Sequence, residues 1–526
     1  MVLCFRCWRR SGWALIALFL SFFLWGCGDD GQEEGEPHTF PEGFLWGVST
    51  AGFQVDMGCP TVDASECMDT GSDWYVWVTD GEIVGDPSAY VAGDPLSGGP
   101  GHYELYETDL DLVKDELKNG GFRMSLEWSR LFPQPTDFLE TPEEVANAAD
   151  PVAVEHYHRV FEAIRARGLT PLVTLHHYTL PRWLHDAVGC HQDLDRCLPA
   201  GWMEKDRVVS EFRKYAAFAA QEFGGEVDLW ATLNEPFAVV LSGFILPSED
   251  RTNPPGVAMA FDEAKVAMVG MIEAHAAAYD ALHEHDTQDM DEDGHAARVG
   301  VVYNIVAVTP KDPESEVDQV AAENVDYLYN RAFLNAITYG DLDANLDGQA
   351  EYREDLQGRS DYIGVNYYTR ITVEGNEWAV FPELSPLSTF DPFTMSLWED
   401  YPRGLYEVVH EAAEYGYPVM VTECGKADPL DDGTAPEFLI RHLIWLGRAI
   451  REGVPVEAFF YWSLMDNYEW NHGMGMKFGL YAVDPADPQK TRVPRAAAAV
   501  YSRIAAQNAI PSAFVDAYPE PRDTQH

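Results

Sequence analysis

Eight short, continuous apolar runs recur along this chain, at residues 44–51, 121–128, 171–177, 229–235, 299–308, 362–368, 419–423 and 456–464. A run of this length without polar alternation suits a strand buried on both faces, as in a parallel sheet covered by helices. The segments between the runs carry helical periodicity. Tyr106, Leu110, Val113 and Leu117 recur on one helical face, and Phe212, Tyr215, Ala219 and Phe223 repeat the pattern. Strand and helix alternating eight times predict an α/β fold, a single (β/α)8 TIM barrel with long βα loops. No linker or internal repeat divides the chain after Phe40, so residues 39–515 are expected to form one domain, with 516–526 as a tail.

Polar residues interrupt the runs at one end. Arg123, His177, Asn234, Glu235, Tyr368, Glu423 and Trp462 all fall near the C-terminal ends of their strands. That end of a (β/α)8 barrel carries its chemistry. A charge within a buried strand is otherwise costly. The segments before the barrel read differently. Arg6, Arg9 and Arg10 precede an apolar stretch from Trp13 to Trp25, a secretory signal pattern too short to span a bilayer comfortably. The stretch ends in Leu24-Trp25-Gly26-Cys27, which resembles a bacterial lipobox with Cys27 as the lipidated residue; Trp25 is bulkier than usual there. Residues 1–27 are therefore expected to be a lipoprotein-type leader, and 28–38 an acidic tether. The alternatives are an ordinary cleaved signal or a short uncleaved anchor. The expected location is the bacterial cell envelope, periplasmic or at the surface, with secretion as the alternative; the lipidated N-terminus is the expected membrane attachment.

Charge excludes other partners. Lys+Arg is 35 and Asp+Glu is 87, giving 35 − 87 = −52. So negative a surface opposes nucleic acid and anionic membranes. Export permits disulfides. Cys59 and Cys67 stand eight apart and Cys190 and Cys197 seven apart, so each pair is expected to close a local loop. Cross-pairing and free thiols remain open alternatives. Cys424 is left over.

Two segments carry the functional reading: Thr232-Leu233-Asn234-Glu235-Pro236 and Val421-Thr422-Glu423-Cys424-Gly425. They resemble the T-[LM]-N-E-P and T-E-N-G signatures of glycoside hydrolase family 1. The likeness extends through Phe44-Leu45-Trp46-Gly47, Gly52-Phe53-Gln54, Asp73-Trp74-Tyr75, Glu127-Trp128-Ser129-Arg130, Gly364-Val365-Asn366-Tyr367-Tyr368 and Trp462-Ser463-Leu464. It is nearest to the archaeal-type β-glycosidases. The resemblance implies a retaining exo-β-glycosidase for terminal β-D-glucosyl, galactosyl or fucosyl residues, with a small β-glycoside or oligosaccharide as partner. Glu235 would be the acid/base and Glu423 the nucleophile, their carboxyls roughly 5–5.5 Å apart. Arg123 and Tyr368 would support the nucleophile and keep it ionised, while enclosure and the neighbouring charge would keep Glu235 protonated. Gln54, His177, Asn234, Glu469 and Trp470 match sugar-binding positions; Trp462 would floor the site and Trp398 would be a leaving-group platform. Glu469-Trp470 argues against the branch acting on phosphorylated sugars. Three positions depart from the pattern: Tyr178 and Thr179 follow His177 where Trp and then Asp or another residue are usual, and Cys424 replaces Asn. A transglycosylase using the same intermediate, or a surface protein that binds sugar with weak catalysis, are the alternatives.

One motif lies outside this chemistry. Asp343, Asn345, Asp347, Gly348 and Glu354 fit the D-x-[DN]-x-[DN]-G-x5-E calcium loop, with Gln349 supplying a carbonyl. The expected ion is structural Ca2+, with a solvated acidic loop as the alternative. Asp289 to Gly294 begins similarly but has Gly300 at position twelve. Catalysis itself is expected to need no cofactor.

Overall fold

The structure, a computed structural model, describes residues 38–392, 395 and 398–518. The expected leader, Cys27, and all but the last residue of the tether lie outside the described residues, as do 519–526 of the expected tail. Eight parallel strands close into a barrel: β1 (Leu45–Ser49), β2 (Gly121–Ser125), β3 (Thr170–His176), β4 (Leu229–Asn234), β5 (Arg298–Asn304), β6 (Tyr362–Tyr367), β7 (Val419–Cys424) and β8 (Val456–Trp462). Each pairs with its sequence neighbours, and β8 returns to β1.

Helices cover the barrel. Pro151–Ala166 and Lys205–Phe223 present apolar faces inward, burying Phe161, Ile164, Phe212, Tyr215, Ala219 and Phe223. Asp150 caps the first by accepting from the N–H groups of Val152 and Ala153, with Pro151 at its first turn. The helix following β1 runs over His102–Asp111 and then widens into a π turn, Leu112–Glu116, which still buries Leu110, Val113 and Leu117.

The barrel interior is packed with side chains. Leu172, Leu229, Ala231, Val302, Tyr362, Met420, Ala458 and Phe460 form a cluster inside the strands. Phe460 fits because Gly47 and Gly121 face it: a Cβ on Gly47 would lie 2.4 Å from its ring. Filling this space with an aromatic ring contributes about 2–3 kcal/mol of apolar burial. This floor leaves the C-terminal strand ends as the face where a ligand can sit.

The run at 299–308 is not one strand. β5 ends at Asn304, the chain turns, and Ala307–Pro310 pairs in parallel with Arg370–Val373, which follows β6. The two extensions make a small second sheet above the rim. Disulfides join Cys59 to Cys67 and Cys190 to Cys197 in the loops after β1 and β3, and Cys424 is a buried thiol.

Candidate active site

Strand ends bring the polar residues together. Glu235 follows β4 in a left-handed conformation (φ 49°) that starts the helix Pro236–Val240. Glu423 lies within β7, and an irregularity in β6 sets Asn366 beside it in register. Arg123, from β2, reaches across the interior: Nη1 donates to Glu423 Oε1 at 2.5 Å, Nη2 to Asn234 Oδ1 at 2.8 Å, and Nε to Thr174 Oγ1 at 3.2 Å. Tyr368 Oη donates to Glu423 Oε2 at 2.6 Å. Both oxygens of Glu423 are thus held by donors.

Glu235 is held by different groups. Its Oε1 accepts from Asn366 Nδ2 at 2.7 Å and Asn304 Nδ2 at 3.3 Å, and its Oε2 contacts the Tyr178 hydroxyl. Asn366 Nδ2 also donates to Asn234 Oδ1, at 3.1 Å. One hydrogen-bonded chain therefore links the two glutamates through Arg123, Asn234 and Asn366.

Arg123 and Tyr368 both favour the ionised form of Glu423, and burial works against them. Burial is the largest influence and pushes it up to about 7; Arg123 opposes that rise and the charge of Glu235 adds to it. Burial also holds the His177 imidazole neutral, well below its usual range, with Arg123 adding to the effect.

The expected sugar-binding residues gather around this centre. Gln54 Nε2 donates to Glu469 Oε2 at 3.0 Å, while Arg251 Nη2 donates to Glu469 Oε1 at 3.0 Å. Asn234 Nδ2 donates to His177 Nε2 at 3.1 Å, which places the imidazole proton on Nδ1. The His177 ring lies near-parallel to Trp462 and Trp470, with centroids 6.0 and 5.9 Å away. Among the described residues, Gln54 Oε1, His177 Nδ1, Arg251 Nη1 and Asn304 Oδ1 are buried without a partner. Four such atoms around one centre suit a ligand dense in hydroxyls, since unpaired buried polar groups are costly. Trp398 stands apart at the rim, 41% exposed, with its ring 6.1 Å from Tyr368.

Tyr178, Asn304, Asn366 and Arg251 were not assigned roles from sequence. Asn304 ends β5 and Asn366 is the last residue but one of β6, and polar residues at that end of a barrel strand are a usable signal. Arg251 sits in a loop after β4 with no local pattern to mark it.

The acidic loops do not join the site. The hairpin pairing of Asp341 with Tyr352 and Leu342 with Glu351 sends Glu354 past Gly340 to the hairpin foot, whereas Asp343 lies toward its tip. Asp343 accepts from the backbone of Asp347 and Gly348 and from Tyr327 Oη. Among the described residues Asp343, Asp347 and Glu354 are not gathered within 4.8 Å of one another, and the expected calcium loop with Asn345 and Gln349 is not shown. The second loop brings Asp289 and Asp291 to Asp228, within 4.8 Å, at the opposite end of the barrel.

Comparison with known proteins agrees with this geometry. The profile described as glycosyl hydrolase family 1 matches residues 36–510. A β-galactosidase of Pyrococcus woesei is 37% identical, covering 90% of this chain and 98% of its own. A β-galactosidase of Sulfolobus acidocaldarius is 35% identical over 90% and 96%. The crystal structure of a hyperthermophilic β-glucosidase from Pyrococcus furiosus superposes with a TM-score of 0.77 at 31% identity, covering 91% of this chain and 98% of that one. The chain belongs to glycosyl hydrolase family 1 and is a β-glycosidase that requires no cofactor for its catalysis.

Proposed function

We propose that the protein is a retaining exo-β-glycosidase, removing terminal non-reducing β-D-glucosyl or β-D-galactosyl units, with fucosyl as a further candidate. The carrying observation is the unequal setting of the two glutamates. Glu423 is gripped by a cation and a phenol, and Glu235 by neutral amides and a phenol. When the pair shares one proton, the negative charge is placed best beside Arg123, on Glu423. Ionised Glu423 attacks the anomeric carbon as Glu235 protonates the departing glycosidic oxygen. The covalent glycosyl-enzyme loses the Glu423 charge, so Glu235 then acts as base on the water that releases the sugar. Two relatives are named β-galactosidases and a third β-glucosidase, which supports both sugars as candidates. Gln54 bonded to Glu469, and Trp470 packed on His177, form a buried polar and aromatic wall beside the glutamates that suits a terminal sugar, which supports exo action.

The test is a panel of aryl β-glycosides and β-linked disaccharides with wild type, Glu423→Ala and Glu235→Ala. The reading requires loss of turnover without Glu423, and without Glu235 retention only for excellent leaving groups. Substantial wild-type-like turnover in Glu423→Ala overturns it. Transfer to added sugar acceptors in the same assay reads the transglycosylase alternative.

We also propose that the protein is exported and anchored through Cys27. Two disulfides in the barrel loops support an oxidising compartment. Labelled fatty acid incorporated by wild type and not by Cys27→Ser supports the anchor; equal labelling of both removes it.

A further inference from the structure

We infer that Tyr178 is a positioning residue for the acid/base glutamate: its hydroxyl holds Glu235 Oε2 and sets how readily that oxygen releases and regains its proton. This rests on the assignment of Glu235 as acid/base.

The two oxygens of Glu235 differ in what their partners can do. Arg123 Nη2 only donates, so the Asn234 atom it meets is the amide oxygen. The Asn366 atom bonded to that oxygen is therefore its NH2 group, and the same NH2 donates to Glu235 Oε1. Asn304 Nδ2 donates to Oε1 as well. Amide hydrogens cannot accept a proton, so the acidic hydrogen of Glu235 belongs on Oε2. Oε2 meets Tyr178 Oη, a group that both donates and accepts.

Tyr178 is built to stay there. It follows β3 with φ 73°, a left-handed conformation that a bulky residue adopts only where surroundings enforce it. Its ring packs on Trp470 at 4.7 Å and beside His177 at 5.5 Å, and it is buried. Burial, reinforced by the charge of Glu235, pushes its phenol well above the ordinary value, so it remains neutral through the cycle. Charged and titratable groups around the contact are Glu423, Arg251, Tyr329 and Tyr368, with neutral His177 alongside.

The cycle uses this partner twice. In the first half the Oε2–H bond of Glu235 breaks and its proton goes to the glycosidic oxygen. The C1–O electron pair leaves with that oxygen, and Glu423 bonds to C1. Tyr178 Oη–H then donates to the new Oε2 carboxylate. In the second half Oε2 takes a proton from water, the water oxygen bonds to C1, and the Glu423–C1 bond breaks. A donor to the carboxylate makes Glu235 a stronger acid and a weaker base. The phenol at 178 therefore tunes the balance between the halves.

The experiment compares full-length wild type with Tyr178→Phe and with 3,5-difluorotyrosine placed at position 178. The Glu235 carboxyl is titrated by 13C NMR, its signal assigned through Glu235→Gln, and the alkaline limb of kcat/KM is measured on aryl β-glucosides. The Phe variant is expected to raise both the titration midpoint and the limb by about one pH unit. Difluorotyrosine, a stronger donor in the same space, is expected to lower both. If the Phe variant does not fold, the direction in which difluorotyrosine moves the midpoint decides. A titration midpoint that moves by less than about 0.2 pH overturns the proposal, even where kcat falls. A displaced titration in a protein without glycosidase turnover upholds the Tyr178 contact and overturns the glycosidase reading instead.

Discussion

Arg123 Nη1 lies 2.5 Å from Glu423 Oε1, and the two side chains are 0% and 4% exposed. Removing one member of a buried pair leaves the other charge uncompensated. Glu423 already sits at about 7 because of burial, with Arg123 opposing the rise. Arg123→Gln is therefore expected to raise the Glu423 value further. Attack requires the ionised form, so the acidic limb of kcat/KM moves to higher pH. On the acidic side of that limb, moving the Glu423 value up by about 1 pH lowers the ionised fraction about tenfold. At pH 6 the ionised fraction then falls about ninefold and at pH 8 about twofold, so the loss at pH 6 is expected to exceed the loss at pH 8 by about fivefold. An equal loss at both values, with the limb unmoved, refutes this account.

Glu127 lies in a buried network outside the sugar pocket. It accepts from Ser125 Oγ and Thr179 Oγ1, both at 2.8 Å, and burial pushes it up to about 7, with the Asp69 charge adding to the rise. The folded protein therefore holds this proton more tightly than the unfolded chain. Its contribution is fully present below the unfolded value near 4.5 and is lost as pH rises through about 7. Glu127→Gln keeps the shape without the titration. Relative to wild type, the variant should gain stability between pH 5 and pH 8, on the order of 3 kcal/mol at most. Denaturant melts at the two pH values measure the difference, and a variant tracking wild type in parallel excludes the mechanism.

Trp398 offers an exposed ring beside Tyr368 and Phe478, outside the enclosed sugar pocket. If Trp398 is the expected leaving-group platform, a ring in that place would stack on the leaving group rather than on the cleaved sugar. Trp398→Ala is expected to raise KM for disaccharides by about fivefold to tenfold, consistent with about 1 kcal/mol of aromatic contact. Fluoride as a leaving group has no face to stack, so glycosyl fluorides should be turned over nearly unchanged. Equal effects on both substrates place the tryptophan elsewhere in the mechanism.

The barrel was legible because its signals are local. Each strand is a short buried run, and the functional end is marked by polar residues such as Asn234, Glu235 and Glu423. The split after Asn304 was not legible, since Ile305 and Val306 are as apolar as the strand before them and only pairing with Arg370–Val373 separates the two. Gln54 and Glu469 were legible only as family positions, because 415 residues separate the bonded pair. Arg251 had no such aid, and its contact with Glu469 spans 218 residues. The calcium pattern shows the converse limit: spacing alone does not say where strand pairing sends each residue, and pairing of Asp341 with Tyr352 sets Glu354 apart from Asp343 along the hairpin.

Cysteine chemistry should divide into two classes. Each disulfide closes a short loop, with separations of 8 and 7 residues. Chain-entropy arguments give roughly 2.5 kcal/mol for loops of this length. Reduction, or Cys59→Ala with Cys67→Ala, should lower the unfolding free energy by that order for each bridge lost, without removing the active site. Cys424 is 1% exposed next to Glu423, and burial pushes its thiol well above the ordinary value. Thiolate is the reactive form, so the native thiol should resist a bulky aromatic disulfide reagent. It should react on denaturation, alongside Cys4, Cys7 and Cys27 where those are retained and free. Rapid labelling of Cys424 in the folded enzyme contradicts its enclosure.

The net charge of −52 has a consequence for the whole particle. A few carboxylates are committed to the pocket, including Glu235, Glu423 and Glu469, and others are paired, as Glu273 is with Lys205 and Arg353. With 87 acidic and 35 basic residues, pairing cannot neutralise the surplus. Like charges on the compact state repel, and salt screens them over a Debye length of about 10 Å at 0.1 M. Raising NaCl from 20 mM to 0.5 M is therefore expected to raise Tm by several degrees. Most of the gain should come below about 0.2 M, where screening changes fastest. The Arg123–Glu423 pair is sealed from solvent, so kcat should respond much less than Tm. A Tm independent of salt shows that the surface charges are too dispersed for repulsion to matter, and a fall in Tm shows that attractive surface pairs outweigh it.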